Sequence, residues 1–211
     1  LQIAANFVLL GSCIFLIIAE TSVGKNALNE KPWIEKLQRL FPWLAACVLL
    51  GLVVIMACTL VQITGNANSI WQLDKWLSIV TDTRAGQIWI LRIVFSILLL
   101  ILILYLHKTS KSIWLYNICA IAAALPLIAG TFASHTVLEA LTFTTVLPYA
   151  IHVVLAGVWL GALPGFLLLV YEEKESISLK VSENSELSLI LGSFSSVIFP
   201  IMLLIILTGV V

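Results

Sequence analysis

The stretch at residues 88–106, IWILRIVFSILLLILILYL, contains a single charged residue and no glycine or proline. A run of about 20 apolar residues is what an α-helix needs to cross roughly 30 Å of hydrocarbon. Inside lipid, every backbone polar group must be bonded within the protein, so only helices and closed β-barrels span membranes. Barrel strands alternate polar and apolar residues over about 10 positions. This stretch does not alternate, and it therefore predicts a transmembrane helix.

Further apolar runs bring the number of predicted spans to six. Charged residues make up only 10% of the chain and the mean hydropathy is +1.12, whereas soluble domains carry about 25% charged residues. We therefore expect an all-α, polytopic transmembrane helix bundle embedded in a lipid bilayer. We interpret residues 1–211 as a single transmembrane domain and as part of a longer chain. The predicted spans lie at about 3–19, 43–63, 87–106, 113–133, 147–171 and 189–210.

The loops between the spans differ in basic residues. The first, third and fifth loops together hold eight Lys and Arg, whereas the second and fourth hold only Lys75 and Arg84. Basic loops remain in the cytoplasm, so we predict the amino terminus and the second and fourth loops outside. Tryptophans gather where membrane meets water. We assign Trp71, Trp76 and Trp89 to the outer interface and Trp33, Trp43 and Trp114 to the inner one.

Two of the three histidines lie close to the fourth loop. His135 follows span four, and His152 lies about one and a half turns into span five from the same side. Short connections join antiparallel neighbours, so we expect the two imidazoles near each other at the outer face. Imidazole is a common ligand of metals and of haem iron, and ionisable side chains inside membranes mark functional sites. The sequence predicts His135 and His152 as metal ligands, although each could instead bond only a backbone carbonyl.

Other polar and sulfur-containing residues have weaker patterns. We predict a solvated His107 at an inner helix end. We interpret Arg92 as an organiser, whether it finds carbonyls, a carboxylate or an anion or extends to the outer interface, and Glu139 could pair with it or attract cations. The cysteines show no Cys-x-x-Cys spacing and are interpreted as buried small hydrophobes. Sulfur ligation and simple packing both remain open for Met56, Cys58 and Met202.

Span five carries Gly157, Gly161 and Gly165 at intervals of four residues. Such a ridge of small residues lets a neighbouring helix approach closely. His152 and Trp159 are seven residues apart and therefore share one face of the same helix. We expect a tightly packed helix pair beside the face that bears the histidine.

Several segments together resemble the copper resistance protein D family. The most specific piece is the arrangement of His152, Trp159 and Gly161, and the second is Thr-Arg-x-Gly-x-x-Trp-x-x-Arg, from Thr83 to Arg92. The chain departs from the family pattern at Ser134, where glycine is usual, and at Ser193, where arginine is frequent. The resembling segments are TRAGQIWILRIVFSILLL (83–100), SHT (134–136), IHVVLAGVWLGALPGFLLL (151–169) and GSFSSVIFPIMLLIILTG (192–209).

The resemblance implies a bacterial cytoplasmic (inner) membrane protein that handles copper. It also implies about eight spans, two of them beyond Val211, and an extracytoplasmic copper-binding partner or fused domain. Copper is bound by Cys, Met or His, which agrees with the two predicted histidine ligands. We therefore expect copper uptake or transfer across the membrane, with His135 and His152 receiving the metal.

Two functions other than copper handling also agree with the sequence. One alternative is a haem b electron-transfer bundle with two axial histidines, and another is a scaffold subunit without a ligand. The chain shows no Gly-x-Ser-x-Gly, no phosphate loop and no His-Glu-x-x-His, so we expect no enzyme and no catalytic residues. The formal net charge of zero and the lack of a basic patch argue against a nucleic-acid partner.

Overall fold

A computed structural model describes residues 1–24, 31–109, 112–132, 143–177 and 184–209. The regular structure in these ranges is helical, without a strand. Six of the helices are long and apolar enough to cross a membrane, which confirms the predicted all-α bundle with six spans. The helices are α1 (Gln2–Val23), α2 (Pro32–Thr64), a 3-10 helix (Ala67–Trp71), α3 (Leu73–Asp82), α4 (Arg84–Lys108), α5 (Ile113–Thr131), α6 (Phe143–Ile177) and α7 (Asn184–Gly209).

Helix α2 begins well before the predicted span at 43–63. Pro32 occupies its first turn, where a missing N–H costs no hydrogen bond. The early turns bury an apolar stripe that includes Trp33 and Leu37, while charged residues occupy the other face. Trp33 is 1% exposed and packs edge-on against Phe15 at a ring distance of 5.7 Å. Its side chain thus lies in the core because it belongs to this buried stripe, and its predicted depth at the inner interface stays a prediction.

Helix α1 is the central helix of the bundle. Two thirds of its most apolar window is buried, against 17% for α4 and α7. It packs against α2, α5, α6 and α7. The glycine ridge of α6 meets it directly, since a Cβ on Gly157 would lie 3.0 Å from the ring of Phe7, and one on Gly165 would lie 2.6 Å from that of Phe15. The predicted close approach of a neighbouring helix to this ridge is confirmed.

The contacts between helices define two ends of the bundle. At one end, here called the site end, α1, α4 and α6 begin and α2, α5 and α7 finish. At the opposite end, Nζ of Lys36 lies 3.5 Å from Oε2 of Glu172. Also there, Nε2 of Gln38 donates a hydrogen bond to the hydroxyl of Tyr116. Polar contacts thus tie the helices together at the opposite end, and an apolar core lies within the bundle.

The second loop, between the predicted spans 43–63 and 87–106, contains the 3-10 helix and α3. Ile79 is the buried residue of α3 and packs against Met56 and Leu60 of α2. The indole N–H of Trp76 donates to the carbonyl of Ile70 at 2.9 Å. This short amphipathic helix therefore covers the site end of α2 and leads directly into α4.

Candidate functional site

His152 lies in the third turn of α6 and faces the end of α7. Its Nδ1 is 3.1 Å from the carbonyl oxygen of Ile205 and 3.2 Å from the hydroxyl oxygen of Thr208. A Cβ on Gly209 would lie 3.1 Å from Cε1 of the imidazole, so the ring packs closely against this glycine. The last turn of α7 therefore forms the wall that holds the half-buried imidazole in place.

These contacts determine which nitrogen of His152 is free. A backbone carbonyl can only accept a hydrogen bond, so a hydrogen bond to Ile205 requires the tautomer with the proton on Nδ1. The hydroxyl of Thr208 donates to the carbonyl of Leu204 at 2.7 Å, which leaves its oxygen able to accept from the same Nδ1. In the neutral ring, Nε2 then carries the lone pair, and within the described ranges it has no hydrogen-bond partner. A histidine with one nitrogen held by a carbonyl and the other unprotonated is the usual arrangement of a metal ligand.

The second predicted ligand, His135, lies outside the described residues, as does Glu139, the proposed counter-ion of Arg92. The predicted proximity of His135 and His152 thus stays a prediction. Across the described ranges, no group of three or more His, Cys, Asp or Glu side chains could hold a metal ion. His152 is accordingly a candidate ligand in a site whose other members are not defined.

The remaining sulfur and histidine candidates differ in how far they are buried. Met56 is 4% exposed and fills the apolar cluster with Leu60 and Ile79, which supports packing. Met202 is 38% exposed and Cys58 is also exposed on the bundle surface, so the interpretation of every cysteine as buried fails at Cys58. His107 is exposed in the last turn of α4, as predicted. In the described ranges, no hydrogen bond joins any of these four to His152.

Cys13 and Cys119 are the two cysteines in the bundle core. They are 1% and 0% exposed, belong to the same apolar cluster and lie on α1 and α5, which pack together. Both are free thiols. They are soft donors in the central apolar cluster of the described bundle.

Arg92 connects α4 with α1 near the site end. Its Nη2 donates to Oε1 of Gln2 at 3.0 Å, across a sequence separation of 90 residues. A Cβ on Gly130 of α5 would lie 3.4 Å from Cζ of the guanidinium, so α5 also contacts it. This position between three helices agrees with the predicted organising role.

Sequence reasoning missed three buried polar residues on the helices that Arg92 connects. Gln2, Asn6 and Ser96 are 3%, 0% and 1% exposed. Nε2 of Gln2, both polar atoms of Asn6, Oγ of Ser96 and Nε of Arg92 are buried without a hydrogen-bond partner among the described residues. Gln2 and Asn6 are spaced i, i+4 in an apolar helix, as are Arg92 and Ser96, and this spacing was a usable signal of a polar face.

Four of the five characteristic residues of the Thr83-to-Arg92 motif make a specific contact in the structure. Thr83 caps α4 by accepting a hydrogen bond from the N–H of Gly86 at 3.0 Å. A Cβ on Gly86 would lie 2.2 Å from the carbonyl oxygen of Ile79, so only glycine lets α3 and α4 meet so closely. The indole N–H of Trp89 donates to the carbonyl of Leu52 at 2.8 Å. Arg84, the remaining position, is exposed.

Comparison with known proteins gave one family. Residues 1–142 match the family model described as copper resistance protein D-like, N-terminal domain. The match covers 142 of the 211 residues and includes α1 and α2, which precede the segments that carry the resemblance in the sequence. Arg92 and His135 lie inside the matched segment, and His152 lies beyond it. No curated protein and no solved structure matched the chain.

Proposed function

This chain belongs to the copper resistance protein D-like family, and on that premise we propose that it takes up copper or transfers it across a membrane. Copper is the cargo in this proposal, and the chain acts as a carrier rather than as an enzyme. The six helices able to cross a membrane supply the scaffold for such a path. His135 and His152 are the proposed first ligands, at the site end of the bundle.

The observation that supports His152 is the hydrogen bond from Nδ1 to the carbonyl of Ile205. It orients the ring and leaves Nε2 as the donor atom for a metal. Such a contact fixes the tautomer and the orientation of the ring, and it reduces the rotamer freedom that binding would otherwise remove. Imidazole is a suitable donor for copper in either common oxidation state.

The proposal requires His135 to approach Nε2 of His152. His135 is four residues beyond Thr131, the last residue of α5, which corresponds to at most about 14 Å of extended chain. His152 is nine residues after Phe143, the first residue of α6, or about 13 Å along the helix axis. The two distances are similar, so the chain length permits the pair to meet near the site end.

Movement beyond a first site needs further soft ligands. Cys13 and Cys119 could supply such ligands, because thiolate is a preferred donor for Cu(I) and both residues lie in the central core. In this proposal they receive copper after the histidines, on the way to the opposite end. A transfer role limited to the site end would not require them.

The proposed setting is the bacterial cytoplasmic membrane, with the site end outside. In the described ranges, Lys36 and Arg39 lie on α2 near the opposite end, and basic residues favour the cytoplasmic side. The site end would then face an extracytoplasmic copper-binding partner or fused domain. A reporter that is active only in the periplasm, fused before Leu1, tests this orientation and should be active. Activity only from a fusion within residues 178–183 would show the opposite orientation.

Metal analysis of the purified protein tests the proposed ligands. We expect about one copper per chain after equilibration with copper, and loss of most of it in His135→Ala and in His152→Ala. His107→Ala is the matched control, because His107 is exposed in the last turn of α4. Unchanged copper in both test variants would remove these histidines from the proposal. A visible spectrum of the same samples addresses haem, since a Soret band at stoichiometric strength would favour the electron-transfer alternative.

A further inference from the structure

The charge of Arg92 is not neutralised by any carboxylate in the described part of the chain. Its hydrogen bond goes to the neutral amide of Gln2 at 3.0 Å, and its Nε is buried without a partner. Arginine does not lose its proton in proteins. A guanidinium within an apolar bundle therefore remains a cation, and such a group is expensive unless an anion or several hydrogen-bond acceptors compensate it.

The guanidinium lines a cavity of about 270 Å³ between α1, α4, α5 and α6. Thr131 and Tyr149 also line it, and Gly130 lies against the guanidinium. The remaining lining residues are apolar. Pockets for drug-sized ligands are larger, at about 300–1,000 Å³. The space beside Arg92 therefore suits a small polar group in an otherwise apolar pocket.

The position of the cavity indicates which anion can reach it. Ile3 and Tyr149, both in its lining, are 52% and 43% exposed on the outside of the bundle. Arg92 lies four residues, or about 6 Å, beyond the start of the apolar run at residue 88. The cavity is thus near one membrane surface and open toward lipid, where phosphate groups are the most abundant oxyanions. Basic pockets between transmembrane helices bind anionic head groups in this way.

We propose that the Arg92 cavity binds a phosphate-class oxyanion, supplied by the head group of an anionic phospholipid or by free phosphate. The planar fork of the guanidinium offers parallel N–H donors that match phosphate oxygens. Nη2 already donates to Gln2, so the remaining donors are those available to the anion. The proposal does not depend on copper, and it applies whether or not the proposed function holds.

Binding is measured on the purified full chain in detergent after removal of co-purified lipid. Dioleoylphosphatidylglycerol and inorganic phosphate are titrated separately, with native mass spectrometry and thermal unfolding as readouts. We expect saturable binding that weakens about tenfold or more in Arg92→Gln, as expected for loss of charge-assisted hydrogen bonds. Arg84→Gln is the matched control, because Arg84 is exposed at the start of the same helix, and its binding should equal that of the wild type.

The two probes separate the sources of the anion. Arg92-dependent binding of the lipid alone identifies a head-group site, and Arg92-dependent binding of phosphate identifies a site for the free ion. Binding of neither probe, or binding unchanged by Arg92→Gln, overturns the proposal. If Arg92→Gln does not fold, Arg92→Lys and Tyr149→Phe replace it. Lysine keeps the positive charge but lacks the parallel N–H donors of the guanidinium. Arg92→Lys and Tyr149→Phe should each weaken binding at least about threefold, and unchanged affinity in the two variants contradicts the proposal.

Discussion

Gly11 of α1 and Gly161 of α6 lie against each other where the two helices cross. A Cβ on Gly11 would lie 2.2 Å from the carbonyl carbon of Gly161, and one on Gly161 would lie 1.7 Å from the carbonyl oxygen of Phe7. The hydroxyl of Ser12 donates to the carbonyl of Gly161 at 3.2 Å. Both obstructing groups belong to the backbone, so neither helix can yield by changing a side-chain rotamer.

Gly161→Ala should therefore destabilise the bundle by about 3 kcal/mol, the upper part of the usual range for overpacking. Thermal or denaturant unfolding in detergent measures the change. Gly192→Ala is the control, because a Cβ there meets nothing within 4 Å. That control should be neutral or slightly stabilising, since alanine is the better helix former by up to about 1 kcal/mol. Equal effects of the two substitutions would contradict the close crossing.

Thr208→Val should lower the copper affinity of the proposed histidine site up to about tenfold, because the hydroxyl near Nδ1 of His152 is lost. Copper titration with a competing chelator measures the affinity. Thr59→Val is the matched control, since Thr59 also donates to a carbonyl four residues earlier but lies exposed on α2. A loss of affinity in both variants, or in neither, would show that Thr208 does not support the imidazole.

Trp89→Phe should cost about 1 kcal/mol of unfolding free energy. The substitution keeps an aromatic ring but removes the indole N–H that donates to the carbonyl of Leu52 at 2.8 Å, between α4 and α2. Trp114→Phe is the control, because Trp114 is 75% exposed in the first turn of α5. Equilibrium unfolding of the two variants should differ, and a Trp89→Phe protein as stable as the control would contradict the contact.

Tyr116→Phe should also destabilise the bundle by about 1 kcal/mol, at the opposite end. It leaves the side-chain amide of Gln38 without the hydroxyl to which Nε2 donates. Tyr116 is 3% exposed, whereas Tyr105 is 56% exposed, so Tyr105→Phe serves as the comparison. Unfolding monitored by circular dichroism reports the difference. A larger effect at Tyr105 would be incompatible with the described packing.

Much of the fold was predictable because the hydropathy and length of a short segment decide whether it can form a membrane-spanning helix. Six apolar runs of sufficient length indicated six helices, and the glycine spacing in α6 indicated a close helix contact; both are confirmed. Helix α2 begins before the predicted span at 43–63, because hydropathy averages over a segment and overlooks an amphipathic end. The ten-residue α3 was missed for the same reason, as it buries chiefly Ile79.

By itself, the sequence determined the number and type of the spans and identified His152 and Arg92 as costly residues inside them. Tertiary structure decided what these side chains contact: Ile205 for His152, 53 residues away, and Gln2 for Arg92, 90 residues away. The physical reason is that lipid and protein interior are equally apolar, so hydropathy does not specify which helix faces meet. Steric fit and the pairing of buried polar atoms decide that, and they exist only once the helices have packed.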